Sequence, residues 1–240
     1  MGLLACKGDL MRIEGSLVEG RFLTRDNRFR VTVDVAGQHV WAHLANSGRL
    51  RELLVPGCRT VLIKRPGAAR KTGYDLSLVQ SEGRWVSVDA RLPNDLVAEA
   101  LTYRRLHPLV GYPTVNREVS FGHSRFDFQL NAAGRPPCLL EVKSITLVVD
   151  GLACFPDAVT LRGRRHLNEL AEATKAGYRA VVVFVVQRDD AAGVRPHDES
   201  DPGFGQALRY SAQLGVEVYA YACQVEPGRI EITDPLQVFL

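Results

Sequence analysis

The stretch Arg125–Lys143, RFDFQLNAAGRPPCLLEVK, decides how the second half of this chain folds. Both of its ends, RFDFQL and CLLEVK, alternate apolar and polar residues with the period of two that is typical of half-buried strands. Between them lie Gly134 and two prolines, which predict a turn and therefore an antiparallel hairpin. In the first strand one face is predicted to carry the apolar residues Phe126, Phe128 and Leu130.

A turn centred on Gly134 places Asp127 directly across from Glu141. Facing carboxylates have Cβ atoms only ~5 Å apart, and like charges in that position destabilise a sheet. A divalent cation would favour the same arrangement, because Mg²⁺ takes oxygen ligands and keeps several waters. The pair therefore predicts a Mg²⁺ site, with Mn²⁺ as a substitute and the Val142 carbonyl as a further ligand.

Lys143 lies two residues beyond Glu141 and on the same predicted face of the strand. A lysine there could orient or deprotonate an attacking water, since its pKa is tunable and that of arginine is not. Only 5 of the chain's 30 basic residues are lysines, which modestly favours a chemical role. The alternative, a solvated strand face with an ordinary Glu141–Lys143 ion pair, stays open on spacing alone.

Three motifs occur in order: RFDF at 125–128, EVKSITL at 141–147 and FPDAVTLRGRRHLNEL at 155–170. With them the chain resembles the sugar fermentation stimulation protein (SfsA) family. The resemblance implies an OB-like N-terminal β-barrel and a C-terminal α/β domain similar to PD-(D/E)xK nucleases, with a mixed sheet. It also implies DNA binding and a regulatory role in sugar metabolism.

Length and charge agree with two domains, which we place at 1–85 and 86–240. The chain has 240 residues, 46% of them hydrophobic and 24% charged, as in an ordinary globular protein. Residues 1–85 hold 14 Lys and Arg against 8 Asp and Glu, whereas residues 86–240 hold 16 against 19. A basic front half indicates that the first domain contacts a polyanion.

The front half reads as short strands separated by turns, with a short helix at Arg49–Val55, and these elements suit a small OB-type barrel. Basic grooves with nearby aromatic residues are how such barrels bind nucleic acid. Phe22, Phe29, Trp41 and Tyr74 are available for stacking, although core packing is the preferred interpretation for Phe22 and Trp41. The candidate DNA-binding residues here are Arg28 and Arg30 on one strand face, and Arg65, Arg70 and Lys71 in a loop.

The back half supplies further candidates on two predicted helices. The first opens at Leu92 with Asn94 as candidate N-cap. It carries Glu99, which is either a third metal ligand, a role for which Glu118 competes, or an ordinary exposed helix glutamate. The second begins at the N-cap Thr160 and ends before Gly177. This helix could present Arg162 and His166 to the scissile phosphate, and the family resemblance favours that role over the alternative that His166 caps or packs locally. Asp157 before the helix is expected to coordinate the loop backbone rather than a metal.

The rest of the domain is predicted as a strand at 179–187, buried on both faces, a polar surface loop at 188–201, a helix at 204–214 and a strand at 216–225. No apolar run reaches the ~18–20 residues of a membrane span. Five scattered cysteines without a CxxC motif indicate reduced thiols in a cytoplasmic protein. The sequence leaves the oligomeric state open, a homodimer included.

Two functions of different classes follow. In the first, the chain is a metal-dependent DNA phosphodiesterase in which Asp127 and Glu141 hold the metal and Lys143 handles the water. In the second, it is a DNA-binding regulator of sugar metabolism whose nuclease-like site is vestigial. The family description favours the second, and the intact Asp, Glu and Lys set favours the first.

Overall fold

The computed structural model describes residues 12–65, 67 and 71–240, and these residues form two β-sheets and three α-helices. The strands of the front half are β1 (Leu17–Asn27), β2 (Arg30–Val35), β3 (Gln38–His43), β4 (Arg59–Lys64), β5 (Tyr74–Ser81) and β6 (Arg84–Ser87). The helices are α1 (Leu92–Thr102), α2 (Leu161–Lys175) and α3 (Pro202–Gln213). The remaining strands are β7 (Thr114–Phe121), β8 (Ser124–Asn131), β9 (Cys138–Ile145), β10 (Val148–Val149), β11 (Leu152–Phe155), β12 (Arg179–Val186), β13 (Gly193–Pro196), β14 (Glu217–Glu226) and β15 (Arg229–Val238).

The front half is a closed barrel, as predicted. The described strands run in the order β3-β2-β1-β4-β5-β6, and pairing of β3 with β5 closes the first five into a barrel. Alternate residues such as Val31, Val33 and Ala42 point inward and are fully buried. The predicted helix at Arg49–Val55 is wrong: Leu50 adopts a left-handed φ of 50°, and only a turn follows at 51–53.

The back half is built on a mixed sheet, which confirms the predicted architecture. Its described strands run β10-β11-β13-β15-β14-β12-β9-β8-β7, with β9, β12 and β14 parallel at the centre. The sequence patterns missed β10, β11, β13 and β15. Residues 188–201, predicted as a surface loop, contain β13. Arg188 in this segment is buried, and the bonds of its guanidinium to Asp190 and to the Thr146 carbonyl compensate for the lost water.

The helices pack on opposite faces of this sheet. α1 lies between the sheet and the barrel, where Leu96 and Val97 share one hydrophobic core with Leu140 of β9 and Val61 of β4. α2 and α3 cover the other face, with Leu167 packed in a second core. Because one core spans barrel, helix and sheet, the two domains meet through a continuous apolar interface.

The helix boundaries test the capping predictions. Thr160 is the N-cap of α2, with its hydroxyl accepting from Gly163 N at 3.0 Å, as predicted. Gly177, with a φ of 86°, follows the C-cap Ala176. Asn94 is not the N-cap of α1: the N-cap is Arg91, so Asn94 lies inside the first turn, and its side chain is free to reach the site.

The hairpin forms in the predicted register. Phe128 pairs with Leu140, and the next two residues of each strand also pair as predicted. The predicted single apolar face of β8 is wrong, since Phe128 packs in the core beneath α1 whereas Phe126 packs in the core beneath α2. The apolar side chains of β8 therefore lie on different faces of the sheet before and after Asp127, the residue at which the β8–β9 ladder stops.

Candidate metal and nucleic-acid site

Glu141 of β9 is the centre of a buried hydrogen-bond chain. Its Oε1 accepts from Lys143 Nζ at 2.5 Å and from His166 Nδ1 at 2.5 Å. The other ring nitrogen of His166 accepts from Arg162 Nε at 3.3 Å, which places the imidazole proton on Nδ1. His166 is only 2% exposed, so the predicted contact with a phosphate is wrong and the alternative of local packing is the one observed. Its bond to Glu141 fixes the orientation of that carboxylate.

The second oxygen of Glu141 has no such partner. Oε2 is buried, and no described residue donates a hydrogen bond to it. Burial alone would raise the pKa of Glu141, but Lys143 and then His166 hold that pKa below its usual value. The side chain therefore presents a charged, unpaired oxygen inside the protein, an arrangement that costs free energy unless something binds there.

Asp127 occupies the position where β8 and β9 part. Its Oδ2 accepts from the Val142 backbone N–H at 2.7 Å, in place of the next ladder bond, and its Oδ1 accepts from the Asn94 amide at 2.7 Å. Burial, and then the nearby Glu141 carboxylate, raise the pKa of Asp127. The two acids thus repel each other electrostatically although they are not a ladder pair. The role of Asn94 was missed, because an Asn near a helix start reads as a cap.

The donor set suits a hard divalent cation. Two carboxylates converge, one of them with an unpaired buried oxygen, and hard cations prefer such oxygens. Within the described ranges, no three His, Cys, Asp or Glu side chains form a metal-binding group.

The two candidates for a third acid lie elsewhere. Glu99 is 3.6 Å from Arg105, which also approaches Glu231. The reason is geometric: Glu99 follows Asn94 by five residues and so points ~140° away around α1. Glu118 pairs with Arg125 at 2.6 Å, with both side chains at least half exposed.

A cleft of about 430 Å³ lies between the two domains, next to this centre. Lys143 and Arg162 line it from the α/β domain, and Arg28 lines it from the barrel. Only 11% of the Lys143 side chain is exposed, so the cleft is its route to solvent. Three basic side chains in one concave surface suit a phosphate backbone.

A direct link between the domains forms one end of the cleft. Asp157, before α2, accepts from the Arg49 backbone N–H of the barrel at 2.6 Å, so it bonds to the backbone of the other domain rather than to that of its own loop. Gly48 is packed so closely that an added Cβ would lie 2.5 Å from Asp157 Oδ2. Arg25 supports this turn from β1 by donating to the carbonyls of Gly48, Arg49 and Asn46.

The predicted DNA-binding residues of the barrel are divided among different environments. Arg28 lies in the β1–β2 turn rather than on a strand, and it faces the cleft. Arg30 opens β2 and bonds to Asp26 at 3.0 Å. Arg65 pairs with buried Asp75 at 3.1 Å. Lys71 is exposed, and Arg70 lies outside the described residues.

Aromatic burial in the barrel differs between the two residues predicted to be in the core. Phe22 is 2% exposed and packs inside the barrel, as predicted. Trp41 is 53% exposed, so its predicted core position is wrong. It lies on β3 next to Ala42, which points inward, and the alternation of the strand turns the indole outward.

The two folds define the class of protein: an OB barrel followed by an α/β domain built on a mixed sheet. A model described as the sugar fermentation stimulation protein RE domain matches residues 91–229, and the SfsA N-terminal OB domain matches residues 23–88. The chain belongs to the sugar fermentation stimulation protein family, which confirms the resemblance drawn from its three motifs.

Individual relatives cover nearly the whole chain. A sugar fermentation stimulation protein homolog of Moorella thermoacetica is 45% identical over 233 residues, which are 96% of this chain and 100% of the relative. The Chloroflexus aggregans homolog is 45% identical over 93% of this chain and 86% of its own length. The solved structure of Pyrococcus furiosus SfsA in complex with Ca²⁺ superposes with a TM-score of 0.88 at 29% identity, over 96% of this chain and 99% of that one. None of the helices in the described ranges has the length and hydrophobicity to span a membrane.

Proposed function

We propose that this protein is a divalent-metal-dependent DNA phosphodiesterase whose centre is Asp127, Glu141 and Lys143. The observation that carries the proposal is the buried, unpaired Oε2 of Glu141 beside a second buried carboxylate. A purely structural site would be more stable with a neutral or paired group in that position. A carboxylate pair retained at a cost is what a cation site requires.

Mg²⁺ is the proposed metal, with Mn²⁺ as a substitute. Asp127, Glu141 Oε2 and the Val142 carbonyl would hold it, and when bound it would polarise a phosphate and lower the pKa of a water. The Pyrococcus furiosus SfsA structure was solved in complex with Ca²⁺, another hard cation that takes oxygen ligands. This supports a hard-cation site in the family and leaves the active metal to experiment.

The chain's own residues perform the positioning. Lys143 reaches the cleft from the strand that carries Glu141, where it orients the attacking water or takes its proton. Arg28 and Arg162 hold the DNA backbone on either side of the cleft. His166 positions Glu141 by donating to Oε1, which leaves Oε2 as the carboxylate oxygen without a partner.

One observation favours a second candidate, a DNA-binding regulator without catalysis. The ammonium of Lys143 is already paired with Glu141 at 2.5 Å, and this ion pair satisfies its charge with no chemistry. In that case Lys143 is one of several cations around a binding cleft. The phosphodiesterase and the regulator predict different effects of replacing Lys143.

Cleavage and binding assays on Lys143 variants test the proposal. With Mg²⁺ or Mn²⁺, wild type should cut single-stranded, duplex or branched DNA slowly, and Lys143→Ala should bind DNA but lose cleavage at least a hundredfold, as expected for general-base catalysis. Lys143→Arg should be nearly as poor, because arginine cannot give up a proton. Lys175→Ala, an exposed lysine on α2, is the matched control and should cut normally. A wild type that binds metal and DNA but cuts no form of DNA refutes the proposal and leaves the regulator.

A further inference from the structure

The outer face of β2 and β3 carries an exposed aromatic residue with a cation above it. Val31, Val33 and Ala42 point into the barrel, so the residues next to them along each strand point outward. Among these, Trp41 is 53% exposed, and the guanidinium of Arg30 lies 4.5 Å from its ring centre. An indole left largely in water on a strand face is available for stacking.

A second exposed ring connects this face to the cleft. Phe29 lies in the β1–β2 turn and is 45% exposed. It lines a shallow hollow together with Arg30, His43 and Lys71, while the adjacent Arg28 lines the cleft of Lys143. One turn therefore joins the catalytic cleft to the aromatic face, with a cation before and after Phe29.

Local packing does not account for this set. The Arg30–Trp41 contact is worth only ~0.5–1 kcal/mol at an exposed position. The contacts of the Phe29 ring with the Arg28 guanidinium and the His43 ring still leave Phe29 45% exposed. Arg30 has its own partner in Asp26. Within the part of the chain that the structure describes, no carboxylate forms an ion pair with Arg28 or Lys71, so their charge is available to a polyanion.

We infer that single-stranded DNA is the substrate class, with its bases stacked on Phe29 and Trp41 and its backbone led past Arg28 to Lys143. The inference takes the proposed DNA phosphodiesterase as its starting point and adds the form of the DNA. Exposed rings beside cations are how single strands are held, because their bases are free to stack on side chains. Bases in a duplex are already stacked on each other and cannot do so.

The test is equilibrium binding without metal, so it does not depend on cleavage. Fluorescence anisotropy in EDTA compares a labelled 20-nucleotide oligo-dT, an abasic oligomer with the same phosphates and a 20-base-pair duplex. The variants are Trp41→Leu and Phe29→Leu, which keep every charge. The matched control is Tyr210→Leu, which removes another exposed ring (56% exposed) on α3, in the other domain. Melting curves establish that each variant is folded.

We expect Trp41→Leu and Phe29→Leu each to weaken oligo-dT binding about fivefold or more, because the loss of one base–aromatic stack costs at least ~1 kcal/mol of binding free energy. Binding of the duplex and the abasic oligomer should change less than twofold, and Tyr210→Leu should match wild type. Equal losses on all three ligands, or no loss beyond that of the control, would overturn the inference. So would tighter binding of the RNA oligomer of the same sequence. If the aromatic dependence holds but no DNA is cut, the phosphodiesterase proposal fails and single-strand binding stands.

Discussion

Because Gly48 lies directly against Asp157, we predict that Gly48→Ala weakens the contact between the two domains and lowers the stability of the protein. A Cβ on Gly48 would lie 2.5 Å from Asp157 Oδ2, so Gly48→Ala must displace that carboxylate. The displaced group then loses its 2.6 Å bond from the Arg49 N–H. A hydrogen bond to a charged group contributes ~1.5–3 kcal/mol, so we expect a loss of about 2 kcal/mol.

A double-mutant cycle isolates this contact. Asp157→Ala should cost about the same as Gly48→Ala, and the double variant should cost little more than Asp157→Ala, giving a coupling energy of ~2 kcal/mol. Urea unfolding gives the free energies, and each single variant should melt roughly 4–8 °C below wild type. Gly73→Ala is the control, because no described atom lies within 4 Å of its added Cβ. Additive costs at Gly48 and Asp157 would refute the reasoning.

Two further predictions concern the acid pair. Mg²⁺ at about one hundred times its dissociation constant should stabilise the protein by ~2.7 kcal/mol, which raises the melting temperature by roughly 5–11 °C. In Glu141→Gln this rise should disappear in a calorimetric scan. An unchanged rise in the variant would place the metal elsewhere. Without metal, burial and then Glu141 raise the pKa of Asp127 above its unfolded value, so the folded state binds the proton more tightly. Stability should therefore fall as pH rises through that pKa, and Asp127→Asn should lack this step in a pH series of unfolding free energies; an identical step in the variant would assign it to another group.

The register of the hairpin was predictable because it is set locally, although its ladder ends one residue before the predicted Asp127–Glu141 pair. Alternation in RFDFQL and CLLEVK fixed the strands, and Gly134 with its two prolines fixed the turn, so Phe128 meets Leu140 as expected. The Thr160 cap is equally local, since its hydroxyl bonds to a residue three positions away. Such features depend on neighbours that the sequence itself places side by side.

The parts that failed depend on distant neighbours. Whether Trp41 faces the core or water depends on which side of β3 the barrel closes. Glu99 carries the right chemistry, but the helix that contributes to the site does so through Asn94. His166 reaches Glu141 rather than the cleft because α2 packs flat on the sheet. In each case the residue type was informative, and its direction was decided by tertiary packing.

The position of the cleft has a consequence for how this architecture can be inherited. Arg28 stands on one wall and Lys143 on the other, so neither domain possesses the cleft alone. The Asp157 contact and the shared core hold the two walls at a set separation. If either domain were exchanged for that of a homologue, the new domain would have to fit the remaining wall of the cleft. Without that fit, both domains would still fold, but the cleft between them would be lost. The cleft is therefore a property of the domain pair, and a change in either domain that alters their interface changes the cleft as well.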